Sequence, residues 1–218
     1  MSNKNLENIK KKYLSAFKIH GDSELSLMWS KSGQKERLEA LTSHLNINKN
    51  STILDYGCGL SHLKLYLENK NLTFKYHGVD IVDDFVMHNI EKFTSFNTKY
   101  TTIAGFKDIT ENYDYIFISG VFNTLMFDTP AEQFKYIASA LIYLFSKTDT
   151  CLSVNFMSTD VDYISEGSYH QNVNEIYNFA VENLSKRLII DQSYMPYEFT
   201  LKIYKNDGKI QNIYREII

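Results

Sequence analysis

Residues 51–67 read S-T-I-L-D-Y-G-C-G-L-S-H-L-K-L-Y-L, and about one strand later the run F-K-Y-H-G-V-D-I ends at Asp80 and Ile81. The short apolar start of the first stretch is typical of a strand buried on both faces. Gly57 and Gly59 follow, where the backbone must turn sharply and pass close to a ligand. This order of strand, glycine turn, helix, strand and acidic residue predicts a nucleoside-binding half of a doubly wound α/β sheet.

The glycine loop departs from the dinucleotide-binding fingerprint G-x-G-x-x-G, because its third glycine position is His62. Asp55 precedes the first glycine and would place a carboxylate where a pyrophosphate needs positive potential. A nicotinamide-dependent oxidoreductase is therefore disfavoured. A ligand that carries an ammonium and a sulfonium group but no phosphate would be attracted by Asp55, while the loop amides hold its carboxylate. S-adenosylmethionine (SAM) is such a ligand.

The run Asp55-Tyr56-Gly57-Cys58-Gly59 resembles the glycine-rich first motif of the class I SAM-dependent methyltransferases, and the resemblance covers about residues 51–157. It implies an α/β, Rossmann-like fold: a doubly wound, mostly parallel seven-stranded sheet with an antiparallel terminal hairpin strand and an N-terminal helical lid. It also implies SAM as cofactor, S-adenosylhomocysteine (SAH) as product, and in-line methyl displacement without a covalent enzyme intermediate.

Donor-binding roles follow from this resemblance. Asp80 would accept hydrogen bonds from both ribose hydroxyls, and Ile81 would lie against the adenine. Asp108 would accept a hydrogen bond from the adenine amine, and residues 113–123 would form the fourth strand and a loop under the methyl donor. The predicted donor-binding residues are Asp55, Gly57, Gly59, Asp80, Ile81, Lys107, Asp108, Ser119, Trp29, Gln34 and Arg37.

Residues 20–30 resemble the lid that several small-molecule methyltransferases place over the donor. Trp29 is the only tryptophan, and Gln34 and Arg37 follow it on one helix face. In one interpretation Arg37 or Gln34 reaches the methionine carboxylate and Trp29 shields the sulfonium. In the other, Trp29 anchors the helix to the core and Arg37 forms a surface ion pair. The sequence favours neither.

A general base is needed only when the methyl acceptor must lose a proton. His170 is the predicted catalytic residue because its unperturbed pKa suits that task, although a histidine of a solvated loop is the commoner explanation. Further polar candidates lie in the lid and after the fourth and fifth strands: His20, Asn123, Asp162, Tyr163 and Tyr169. Near the hairpin bend, three residues are candidate walls of an acceptor pocket: Tyr194, Tyr197 and Glu198.

The acceptor is predicted to be a small polar metabolite, a sugar or a nucleotide-linked building block, with oxygen slightly preferred over nitrogen. Residues 119–122 read S-G-V-F, where nucleic-acid amino-methyltransferases usually carry an Asn/Asp-Pro-Pro-aromatic run. Two alternatives stay open. One is N-methylation of a small metabolite, and the other is a catalytically silent SAM-binding accessory protein.

Composition agrees with one enzyme-sized domain spanning residues 1–218, with a helical cap at 1–46 and the core at 51–218. The 218 residues are 44% hydrophobic, and their net charge of −3 gives no attraction to nucleic acid or anionic membranes.

Cys58 and Cys151 have neither a disulfide pattern nor a metal-site spacing, and Cys58 simply fits the turn. With no signal or membrane-spanning run, we expect a cytoplasmic protein. The exposed edge of the hairpin is a candidate homodimer surface.

Alternating patterns place the secondary structure coarsely. A helix should start near Leu60, with Ser61 as its cap, and Pro130 should lie in the first turn of another helix. Further helices are predicted at residues 5–18, 31–45, 83–93, 130–145 and 173–184, and strands at 150–156, 187–194 and 199–205.

Overall fold

Seven strands form one continuous sheet in the computed structural model, which describes residues 3–93 and 95–205. They are β1 (Thr52–Tyr56), β2 (Lys75–Asp80), β3 (Thr98–Thr102), β4 (Tyr113–Ile118), β5 (Thr148–Met157), β6 (Leu188–Asp191) and β7 (Glu198–Tyr204). Within the same residues, six α-helices surround the sheet: α1 (Asn3–His20), α2 (Lys31–Thr42), α3 (His62–Asn69), α4 (Asp83–Lys92), α5 (Pro130–Ser146) and α6 (Val173–Asn183).

The strand order is β3-β2-β1-β4-β5-β7-β6. The first five of these strands run parallel, and β7 lies antiparallel between β5 and β6. The predicted fold class is confirmed: the sheet is doubly wound, mostly parallel and closed by an antiparallel strand. The chain reverses its direction of growth between β1 and β4, and ligands of such sheets bind at that point, outside the carboxyl ends of the strands.

The centre of the sheet is apolar on both faces. Leu54 of β1 and Ile116 of β4 are register partners, and neither has exposed surface. Helices cover both faces of a parallel sheet, so its central strands need apolar side chains in both directions. The register also pairs Tyr56 with Val79. Asp55 and Asp80 therefore end up at the same carboxyl edge of neighbouring strands.

The glycine loop is longer than predicted. Ser61 has φ of 60°, in the left-handed region, so α3 begins at His62 and not near Leu60. Ser61 occupies the N-cap position of α3, as predicted, but its hydroxyl accepts no hydrogen bond from the first turn. Leu60 and Ser61 are instead fully buried in the loop.

Other helix ends follow their local sequence. Thr129 caps α5 by accepting a hydrogen bond from Glu132 N, and Pro130 occupies the first turn, as predicted. Asn172 caps α6 in the same way through Glu175 N. These caps explain why both helix starts could be predicted closely.

Two strands were harder to predict. β3 reads T-K-Y-T-T, and this outer strand was not predicted because its residues are mostly polar. The strand predicted at 187–194 ends at Asp191, because its carboxylate accepts hydrogen bonds from Ser193 N at 2.9 Å and Ser193 Oγ at 2.6 Å. An Asx-type turn of this kind stops the strand.

In the part of the chain that the structure describes, no helix is both long enough and apolar enough to cross a bilayer. The ends of the predicted domain, residues 1–2 and 206–218, lie outside the described residues.

Candidate functional site

A cavity opens at the carboxyl ends of β1, β2 and β4. Its empty volume is about 1110 Å³ including the open mouth. Eight of the predicted donor-binding residues line it, in segments that are far apart in the sequence: Trp29, Gln34, Asp55, Gly57, Gly59, Asp80, Ile81 and Ser119. Lys107, Asp108 and Arg37 do not.

Both loop glycines are required by close contacts. Gly57 has φ of +77°, and a Cβ there would lie 2.3 Å from Val121 Cγ2. Gly59 has φ of +49°, and its Cβ would lie 2.8 Å from Leu27 Cδ2. Any side chain at either position would strain the backbone and meet a neighbour that also lines the cavity.

The amides of the loop are already hydrogen-bonded within the protein. Gly57 N and Cys58 N donate to Val79 O at 2.8 and 2.9 Å, and Gly59 N donates to Asp80 Oδ2 at 2.8 Å. The prediction that loop amides hold a ligand carboxylate is therefore wrong for these three. They bind the loop to β2 instead.

Asp80 lies where the acidic residue was predicted. Its second oxygen accepts a hydrogen bond from Val82 N at 2.9 Å, so the carboxylate joins the glycine loop to the start of α4. Burial raises the pKa of Asp80, and the amide donors Val82 and Gly59 oppose that rise. The carboxylate keeps lone pairs on a cavity wall that Ile81 continues.

Asp55 is a second buried carboxyl group in the cavity wall. Tyr76 Oη donates to its Oδ2 at 2.6 Å. Burial raises the pKa of Asp55 to about 7, although the Tyr76 hydrogen bond acts in the opposite direction. Charge at this position is therefore sensitive to pH and to a cationic ligand in the cavity.

The residues of the lid have different surroundings. Gln34 Nε2 and His62 Nδ1 are 2.9 Å apart, and both side chains face the cavity. Trp29 also lines the cavity, but Arg37 forms an ion pair with Glu198 and stacks on Trp29. Arg37 does not line the cavity; it forms an ion pair, as the second interpretation predicted, but with a mostly buried carboxylate and not on the surface.

The loop after β3 also differs from the prediction. Asp108 Oδ2 accepts hydrogen bonds from Ala104 N at 2.7 Å and Gly105 N at 3.3 Å. Ala104 and Gly105 line the cavity, whereas Asp108 and Lys107 are exposed. Asp108 therefore shapes the cavity wall from outside it.

His170 lies outside the cavity wall. Its Nδ1 is 2.6 Å from Ser158 O, and its Nε2 is 3.1 Å from Ser168 Oγ. These contacts fix the loop after β5. The catalytic role of His170 stays a prediction that the geometry does not support.

Three of the remaining polar candidates, Asn123, Asp162 and Tyr197, have structural partners. Asn123 Oδ1 accepts from Met157 N at 3.1 Å, and Tyr197 donates to Asp162. Burial raises the pKa of the Cys58 thiol well above its ordinary value. Cys58 is thus a buried thiol of the turn and not a nucleophile.

Helix α1 lies in the segment 1–46 that was predicted as a helical cap, and three of its side chains that were not among the predicted site residues line the cavity. Leu6, Ile9 and Tyr13 face the cavity at helical spacing. At the start of the helix, Asn5 Nδ2 donates to Met126 O at 2.7 Å.

No protein-family model matches the chain. A protein of Mycobacterium tuberculosis, Rv1506c, which is named provisionally as a methyltransferase, is 24% identical over 157 residues; these make up 71% of this chain and 93% of that protein.

Two solved structures have similar folds. DhpI in complex with SAH gives a TM-score of 0.68 at 12% identity, covering 93% of this chain and 97% of that one. Magnesium protoporphyrin IX methyltransferase (ChlM) from Synechocystis with bound SAM gives 0.62 at 15% identity, also covering 93% and 97%. The chain has the fold of class I SAM-dependent methyltransferases, and the resemblance seen in its sequence is confirmed.

Proposed function

We propose that this chain is a SAM-dependent methyltransferase that acts on a small polar acceptor, with an oxygen of a sugar- or nucleotide-linked metabolite preferred. The observation that carries the proposal is the position of the Asp80 carboxylate in the cavity wall, next to a loop whose glycines let Val121 and Leu27 pack closely against it. In this proposal, residues 1–46 form a cap over a core of residues 51–218.

The residues present fit SAM. Asp80 offers its remaining lone pairs to ribose hydroxyls, and Ile81 offers an apolar surface to adenine. Asp55 supplies negative charge for the cationic end of the ligand. Because the loop amides are occupied, Gln34 and His62 are the polar groups proposed to meet the methionine carboxylate.

Bound SAM would supply the methyl group of its sulfonium. The acceptor lone pair would bond to the methyl carbon as the carbon–sulfur bond breaks, and the leaving group would be a neutral thioether. The chain contributes orientation and exclusion of water. The apolar side chains of α1, Leu6 and Ile9, cover the cavity and Trp29 closes one side of it. His170 lies outside the wall and we assign no general base, so a hydroxyl acceptor would release its proton to water at the open mouth of the cavity.

Thermal unfolding tests donor binding directly. SAM and SAH, each at about 100 times its dissociation constant, should stabilise the folded state by about 2.7 kcal/mol and raise the midpoint by about 5 to 10 °C. NADH serves as the control and should leave the midpoint unchanged. A midpoint that responds to NADH and not to SAM or SAH would contradict the proposal.

The acceptor class is tested by incubating the protein with SAM carrying a labelled methyl group and a panel of nucleotide sugars, free sugars and small amines. Label transfer to a sugar hydroxyl supports the oxygen preference. Transfer to an amine supports the alternative N-methyltransferase. Donor binding without turnover on any member of the panel would support the silent accessory protein.

The pKa of Asp55 predicts a pH dependence that separates SAM from SAH. As pH rises from 6 to 8 through the Asp55 pKa of about 7, the group becomes an anion. An anion favours the sulfonium of SAM over the neutral thioether of SAH. Between pH 6 and 8 the ratio of SAM affinity to SAH affinity should increase by about fivefold, the change expected for a one-unit decrease of that pKa on SAM binding.

Calorimetric titrations at several pH values measure both affinities. Because SAM and SAH carry the same amine, the effect of its titration cancels in the ratio of the two affinities. Asp55→Asn removes the titrating group and should leave the ratio nearly independent of pH. A wild-type ratio that stays flat between pH 6 and 8 would exclude Asp55 from the cationic end of the site.

A further inference from the structure

A buried ion pair lies directly beside the donor cavity. Arg37 of α2 and Glu198 of β7 are 161 positions apart in the sequence, and the guanidinium donates through both Nε and Nη2 to the two carboxylate oxygens. Their side chains are only 14% and 8% exposed. A two-bond contact of this kind holds both groups in one plane and one orientation.

The ion pair holds the indole of Trp29. The guanidinium carbon of Arg37 lies 4.0 Å from the Trp29 ring centroid, a cation–π distance. The ring also packs against Gly120, where a Cβ would be 2.3 Å from Trp29 Cζ2. Trp29 is thus held between a cation and the loop after β4, with its remaining surface in the cavity wall.

The same carboxylate also reaches that loop. Gly120 N donates to Asn155 Oδ1 at 2.7 Å, and Asn155 Nδ2 lies 3.5 Å from Glu198 Oε2. Glu198 therefore connects to Trp29 by two routes, one through Arg37 and one through Asn155 and Gly120. Movement of this carboxylate would loosen the indole at both contacts.

We propose that Glu198 is a positioning residue that acts through Arg37 on Trp29 and fixes the indole as a wall of the donor cavity; the effect on donor binding rests on the proposed function. Buried ion pairs are often no more stabilising than apolar residues of the same size, so stability alone does not explain this one. Its geometry explains it, since a planar cation sets the plane of the ring on which it stacks.

Tryptophan fluorescence provides the test, because Trp29 is the only tryptophan in the chain. Glu198→Gln should make Trp29 about twofold more accessible to acrylamide quenching in the donor-free protein and shift its emission to longer wavelength. SAM affinity should fall by about tenfold, an effect typical of coupled neighbouring residues. If methyl transfer is detected, KM for SAM should increase more than kcat decreases.

A matched control is available in α3. The Lys64 ammonium is 2.6 Å from Glu68 and 4.7 Å from the Phe93 ring centroid, so it repeats the carboxylate, cation and ring arrangement away from the cavity. Glu68→Gln should change neither the Trp29 emission nor SAM affinity.

The double variant Arg37→Glu with Glu198→Arg separates positioning from stability. It restores opposite charges and should recover most of the unfolding midpoint lost in Glu198→Gln, but it places no guanidinium on α2 beneath Trp29. Quenching and SAM affinity should therefore stay abnormal. Full recovery of both would show that the pair is structural only and would overturn the proposal.

The proposal fails also if Glu198→Gln keeps wild-type quenching, or if quenching rises while SAM affinity does not change. The fluorescence of the donor-free protein does not depend on the ligand. If Trp29 fluorescence changes in Glu198→Gln but the wild-type chain binds no SAM, Glu198 still positions Trp29 and the proposed function is rejected.

Discussion

Replacing Asp80 with alanine is expected to weaken SAM binding by about 10- to 150-fold, the equivalent of roughly 1.5 to 3 kcal/mol for a lost charge-assisted hydrogen bond. Asp80 has two tasks in the structure. Its carboxylate lines the cavity, and it accepts the amides of Gly59 and Val82. The variant removes the carboxylate that would accept hydrogen bonds from the ribose. It also leaves the buried N–H groups of Gly59 and Val82 without their hydrogen-bond acceptor.

Those two amides also predict a stability loss, of about 1 to 3 kcal/mol for each one left unsatisfied. Denaturant unfolding measures this loss separately from binding. Asp84→Ala is the matched control, because Asp84 is an exposed carboxylate in the first turn of α4. It should leave SAM affinity unchanged and cost at most about 0.3 to 1 kcal/mol of stability, the contribution of an exposed acidic residue in a first helical turn.

The ribose contact can be isolated with smaller ligands. Wild-type protein should bind adenosine more tightly than 2′-deoxyadenosine, and Asp80→Ala should bind the two equally weakly. Equal binding of both by the wild type, or wild-type SAM affinity in Asp80→Ala, would show that Asp80 only anchors the loop.

Local sequence order explains why the glycine loop and Asp80 could be predicted. A buried strand, a turn that only glycine tolerates and an acidic strand end follow one another along the chain, so their spacing determines where they meet. The same local logic predicted the Pro130 helix start. By contrast, the hydrogen bonds of the loop amides depend on the register between β1 and β2, which brings Val79 O to Gly57.

Long-range partners explain the predictions that failed. Nothing near Arg37 in the sequence shows that Glu198 will be its partner, because the sheet brings β7 beside β5 only in the folded chain. Asp108 occupies the predicted loop but turns its carboxylate onto Ala104 N. Leu6, Ile9 and Tyr13 of α1 were not predicted as site residues, because what this helix covers depends on how it packs in the folded chain.

Replacing Gly57 is expected to have the second large effect, which is loss of detectable SAM binding. A Cβ at Gly57 would lie 2.3 Å from Val121 Cγ2, and φ is +77°. Gly57→Ala therefore combines a steric clash in the cavity wall with backbone strain of about 1 to 2 kcal/mol. Gly57→Val adds β-branching and should be worse still.

Two further variants separate the clash from the strain. Gly167 has a nearly identical φ of +75°, but a Cβ there would meet nothing within 4 Å. Gly167→Ala should thus cost only the strain and leave SAM binding intact. Val121→Ala removes the atom that a Cβ at Gly57 would strike. The double variant should therefore regain the stability that Gly57→Ala loses to this clash. It should also bind SAM with part of the affinity measured for Val121→Ala alone.

The size of that recovery is the decisive measurement, since a double-variant cycle reports the direct interaction between the two positions. If Gly57→Ala destabilises the fold no more than Gly167→Ala does, the loop has room for a side chain and the assigned contact with Val121 is wrong. If the fold is destabilised but SAM still binds normally, the loop supports β1 and β2 without shaping the donor site. Loss of both, with partial rescue by Val121→Ala, is the result that the packing of Gly57 against the loop after β4 requires.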